Sequence, residues 1–140
     1  MTLNKFLKVL RTTTITLISL SILNFPVTTQ ADDLLRLATS LCESAKADDR
    51  SGMRKKLKSA RIRLRQIYAG ISCGPTGSLL RVATKSDSLN AATFIATKIG
   101  KKNLGSAGAD GKTIVQWTEA LVFEGDAGKQ AFVDLFNSKL

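Results

Sequence analysis

Between Arg50 and Arg65 the chain carries eight positive charges and no negative one: Arg50, Arg54, Lys55, Lys56, Lys58, Arg61, Arg63 and Arg65. On a helix successive side chains turn by about 100°, so Arg54, Lys58, Arg61 and Arg65, spaced by four, three and four, fall into one stripe beside the apolar face. A stripe of this kind can meet several phosphates, sulfates or carboxylates at once. Like charges at that spacing repel one another, so the arrangement costs helix stability unless an anion or an acidic neighbour offsets it. The plainer reading is a solvated face that keeps a basic protein soluble. Nucleic acid is the disfavoured anion, because Tyr68 alone accompanies the charges as a stacking platform.

Other routes to chemistry are thin. The chain has no histidine, which removes the usual neutral-pH general base and the commonest metal ligand. The carboxylate pairs Asp32-Asp33 and Asp48-Asp49 sit where helices begin or end, and acidic caps explain them without an acid–base role. Gly105-Ser106-Ala107-Gly108-Ala109-Asp110-Gly111-Lys112-Thr113 ends like a phosphate-binding loop, but the glycine required five positions before Gly111 is Ser106. No catalytic residue, metal ligand or cofactor site is assigned from the sequence. Cys42 and Cys73 stand 31 positions apart without a Cys-x-x-Cys spacing. In an oxidising compartment they read as one structural disulfide, and elsewhere as two buried thiols. A bridge closing such a loop stabilises by roughly 3 to 4 kcal/mol.

The elements that position these residues follow from apolar periodicity. Leu34, Leu35, Leu37, Ala38, Leu41, Cys42 and Ala45 recur at helical spacing and predict a first helix from about Asp33 to Lys46. Met53, Leu57, Ala60, Leu64, Ile67 and Tyr68 predict a second, ending near Gly70, with Ile62 misplaced on the opposite face. Leu79 to Ala83 forms a short apolar run, and Ser86-Asp87-Ser88 offers caps for a helix through Phe94 and Ile95 to Gly100. Residues 101–112 read as a glycine-rich loop. The segment 113–123 suits a helix or a buried strand, and Ala127 to Phe136 suits a helix with Ala131, Phe132, Leu135 and Phe136 on one face.

The proposed bridge conflicts with a straight helical hairpin, in which Cys42 and Cys73 would lie roughly 20 Å apart along the axis. A disulfide needs Cα atoms within about 7 Å. The second helix must therefore break or cross steeply between Ser59 and Gly70, and Ile62 suggests the place.

The N-terminus reads as an export signal. Lys5, Lys8 and Arg11 precede 16 uncharged residues, Thr12 to Val27, in which Pro26 breaks the helical stretch, and Thr29-Gln30-Ala31 then suits a cut before Asp32. The uncharged run is shorter than the roughly 20 residues of a spanning helix. The expected product, residues 32–140, is one domain with 18 Lys and Arg against 11 Asp and Glu, a net charge of about +7. It would be periplasmic or secreted, with anionic or acidic partners.

Asp33-Leu34-Leu35-Arg36-Leu37-Ala38-Thr39 is echoed by Ser78-Leu79-Leu80-Arg81-Val82-Ala83-Thr84, and more weakly from Thr113, so three helix pairs are expected. Asp110 to Thr113, with Trp117 and Phe132 to Phe136, resembles the entry turn and second helix of an ankyrin repeat. The expected fold is all-α: helical hairpins stacked in an ankyrin-like or irregular array, with a basic disulfide-bearing part (32–100), the loop (101–112) and a C-terminal helix pair (113–140). Leu41-Cys42, the basic helix, Cys73-Gly74 and Ser78-Leu79-Leu80 together also resemble a family of short exported bacterial proteins known only as a domain of unknown function. That resemblance spans roughly the first half of the mature chain and implies no activity.

The function these features suggest is a non-enzymatic exported binding protein whose basic helix contacts an anionic envelope component or an acidic protein, with peripheral membrane contact as one form. The rivals are a small carboxylate-dependent hydrolase of envelope polymers and an inhibitor or immunity-like partner of another exported protein.

Overall fold

The computed structural model describes residues 30–140, and over them the chain is all-helical with one disulfide. The export signal expected for residues 1–31 lies outside the described residues except for Gln30 and Ala31, which open the first helix. Among the described residues no helix is long and apolar enough to cross a membrane. The helices are α1 (Gln30–Lys46), α2 (Arg50–Ala60), α3 (Leu64–Ile67), α4 (Leu79–Lys85), α5 (Leu89–Leu104), α6 (Ile114–Phe123) and α7 (Gln130–Lys139). Short 3-10 turns occupy Tyr68–Gly70, Gly74–Thr76 and Ala127–Lys129.

Helix ends are set by local chemistry. The Asp49 carboxylate accepts the Gly52 N–H at 2.8 Å and starts α2, and Ser78 caps α4 through the Arg81 N–H. Thr113 and Gln116 form a reciprocal capping box, which decides the segment 113–123 in favour of helix. Asp48, in left-handed backbone at the end of α1, accepts hydrogen bonds from the Asn90 side chain at 2.8 Å and the Ala91 N–H at 2.7 Å. The first inter-helix turn is thereby fastened to the start of α5. Both carboxylates of the Asp48-Asp49 pair therefore cap backbone.

The helices pair α1 with α2, α4 with α5 and α6 with α7. Across pairs, α1 packs on α4 and α4 on α6, while α5 packs on α2, α3 and α7. Leu41, Met53, Leu79, Leu80, Ile95, Leu104 and Phe136 are fully enclosed between these layers. The pairing is that of stacked hairpins, with unequal lengths and an added α3.

Several expectations change in detail. Leu34 and Leu35, counted in the periodicity that predicts the first helix, are exposed at the start of α1. In α7 Val133 is buried and Ala131 exposed. The loop expected over residues 101–112 begins only at Gly105, because after a kink at Gly100 (φ 79°, ψ 163°) one more helical turn carries Leu104 into the core. That backbone conformation is almost confined to glycine, so Gly100 makes the change of direction possible.

Candidate functional site

The second helix breaks where the disulfide requires it. Helix α2 stops at Ala60, Arg61 adopts left-handed backbone (φ 55°, ψ 31°), and Arg63 is extended before α3 begins. The chain then turns back, and Cys73 reaches Cys42 in α1 with Cα atoms 5.6 Å apart. The expected bridge is present, and the break falls between Ser59 and Gly70 as its geometry demanded.

The same break corrects the helical stripe. Arg54 and Lys58 lie on α2, Arg61 caps it, and Arg65 belongs to α3, so no single helix face carries all four. The bend nevertheless brings Arg54, Lys58, Arg61 and Arg65 to the rim of one groove of about 500 Å³, and adds Arg63 and Lys98 of α5. Its floor is Leu57, Ile62, Leu64 and Phe94. Ile62, misplaced for a continuous helix, is half-buried in the linker and faces this concavity. No carboxylate lines the groove, and among the described residues none of its six cations makes an ion pair.

Of the other basic residues in the run, Lys56 has a different role. Its ammonium donates to the Ser40 carbonyl at 2.9 Å and to Ser44 Oγ at 2.6 Å, fastening α2 to α1. At the far rim, the Asn103 side chain donates to the Arg65 carbonyl at 3.1 Å. The turn beyond Gly100 thus braces α3. Tyr68, expected beside the charges, lines a different pocket, where burial pushes its phenol above the usual pKa.

That second pocket, about 290 Å³, lies between Tyr68, Arg81 and the glycine-rich loop. Arg81 of α4 donates to both Asp110 carboxylate oxygens, at 3.0 and 2.7 Å, and to the Lys112 carbonyl at 3.2 Å. Its guanidinium also lies 5.0 Å from the centre of the Trp117 ring, a cation–π contact. A Cβ on Gly108 would come within 2.9 Å of the guanidinium, so glycine is what lets the loop approach it. The loop that mimics a phosphate-binding motif is folded around an arginine of this chain. Sequence reasoning misses this cluster because residues 29 positions apart leave no local signal. Among the described residues no group of three or more Cys, Asp or Glu could hold a metal ion.

Residues 41–106 match the family described as a protein of unknown function (DUF3718). The resemblance carried by Leu41-Cys42, the basic segment, Cys73 and Leu79-Leu80 is thereby established for that stretch. The matched segment contains both cysteines, all six groove cations and the Gly100 kink, and stops short of Asp110 and Trp117. No curated protein and no solved structure matches the chain.

Proposed function

We propose that this is an exported, non-enzymatic binding protein that engages an anionic or acidic partner of the cell envelope through the groove between α2, α3 and α5. The observation that carries the reading is the set of six cations on one concave surface with no carboxylate among them. Where the fold encloses a cation it supplies a carboxylate, as for Arg81 with Asp110 and Lys129 with Asp87. A cation ring left without an internal counter-charge is an electrostatic footprint for an anion from outside.

Arg61 supports the same assignment. Left-handed backbone at a helix end favours glycine, and a side chain there costs about 1 to 2 kcal/mol. Here the strained position holds an arginine that reaches the groove. The bridge between Cys42 and Cys73 is compatible with an oxidising compartment. Export predicts that protein recovered from the envelope or medium begins at Asp32. Intact mass showing residues 1–31 retained would overturn that part.

The test of binding is charge reversal of Arg54, Lys58, Arg61 and Arg65 against reversal of four exposed lysines outside the groove, Lys101, Lys102, Lys112 and Lys139. Lys98 is unsuitable for the control set because it lines the groove. With polyphosphate as ligand at moderate ionic strength, the groove set should lose at least tenfold more affinity. Equal losses would mean that net charge alone governs association.

A further inference from the structure

The groove is not a purely ionic surface. Its floor is apolar, and Ile62 is shared with an adjoining trough at the start of α1, lined also by Leu34, Leu37 and Ala60, with Asp33 at its edge. Leu34 is 40% exposed there and the neighbouring Leu35 68%. A basic pocket that opens into an apolar channel has two halves of opposite preference, and the groove's volume of about 500 Å³ falls within the roughly 300 to 1,000 Å³ usual for small-molecule sites.

We infer that the groove and trough together bind a lipid with a phosphate headgroup, the phosphate held by the cations and the first part of an acyl chain laid over Ile62 toward Leu34 and Leu37. The inference rests on the anionic-partner reading above and deepens it. Arginine side chains suit a phosphate because their planar forks donate two hydrogen bonds at once. Four of the six rim cations are arginines. A tail-less polyanion would leave Ile62 and Leu34 in water, whereas an acyl chain covers them. Each methylene removed from water strengthens binding about fourfold. Nucleic acid fits less well, because the one aromatic ring at the groove, Phe94, is only 5% exposed and offers no face for stacking.

The experiment titrates oxidised protein calorimetrically with butyl phosphate, dodecyl phosphate and dodecyltrimethylammonium below their micellar concentrations, and with polyphosphate. Vesicles of phosphatidylglycerol and of phosphatidylcholine are compared in parallel. Dodecyl phosphate should bind at least tenfold tighter than either butyl phosphate or the cationic amphiphile, and the protein should float with phosphatidylglycerol vesicles only. Leu34→Gln, at an exposed position outside the cationic groove, should weaken dodecyl phosphate at least fivefold and leave polyphosphate binding unchanged. Reversal of the four groove charges should abolish both.

Equal affinity for butyl and dodecyl phosphate, with polyphosphate binding retained, would overturn the lipid inference and leave the anionic-partner reading standing. Equal affinity for the cationic amphiphile would also overturn it. Binding of an acidic peptide such as oligoglutamate in place of dodecyl phosphate would assign the groove to a protein partner. No binding of any anion, or no effect of charge reversal, would sink both readings.

Discussion

Arginine is used in two opposite ways in this molecule. Around Arg81 the fold encloses the side chain, which is 13% exposed, pairs it with both oxygens of Asp110 and stacks it on Trp117. Around the groove, Arg54, Arg61, Arg63 and Arg65 are exposed and make no ion pair among the described residues. The Arg81 cluster joins α4 to the loop before α6 and so serves the architecture. The groove cations join nothing within the described chain, and Arg54 and Lys58, four apart on α2, repel each other on the helix that bears them. The difference separates charge that makes the fold from charge that the fold merely carries.

The largest expected effect concerns the bridge, which bends the charged segment back and so shapes the groove. Replacing Cys42 and Cys73 by Ser should lower unfolding stability by about 3 kcal/mol, read by denaturant titration. A loss below about 1 kcal/mol would mean that packing of α3 on α5 holds the bend unaided. Next comes Arg61→Gly, where the two uses of charge predict opposite signs. Stability should rise by up to about 1 kcal/mol as left-handed strain is relieved, while anion affinity falls. A fall in both would show that Arg61 serves the fold after all.

A smaller effect should appear with acid. The Arg81 guanidinium, hydrogen-bonded to the Asp110 carboxylate, holds its pKa down to about 2. Because the folded value lies below the unfolded one, the stabilisation is complete above about pH 4 and is lost as pH falls toward 2. Asp110→Asn should therefore flatten the acid limb of a stability–pH curve without affecting polyphosphate binding at neutral pH. An unchanged limb would place the acid sensitivity elsewhere. The smallest expected change in stability is the sharpest contrast: Arg54→Gln with Lys58→Gln should shift unfolding by less than about 0.5 kcal/mol in either direction. A loss above about 1 kcal/mol would erase the distinction between the two regions.

Much of this architecture is legible in the amino-acid sequence. Periodicity marks the helix pairs because amphipathic helices record their buried face every three or four residues, and Ile62 betrays the break because it defies that record. The bridge is readable from two cysteines and a length argument. The gathering of Arg54, Lys58, Arg61 and Arg65 follows from their spacing for the wrong reason, since the spacing implies a continuous helix where a left-handed residue redirects the chain. The contribution of Lys98 and the Arg81–Asp110–Trp117 cluster are not legible, because both depend on tertiary neighbours distant in sequence. The helical turn after Gly100 is hidden by glycine itself, which normally signals an end and here permits a kink.

Lys56 carries one more consequence. Held by the Ser40 carbonyl and Ser44 Oγ, it fastens α2 to α1 beside the buried Met53 and Leu57, and together these three contacts orient the face that carries Arg54 and Lys58. In a saturation mutagenesis screen of the basic run, the position least tolerant of substitution should then be the lysine that lies outside the groove. Ranking the run by loss of abundance and by loss of binding would give two orders that disagree first at Lys56.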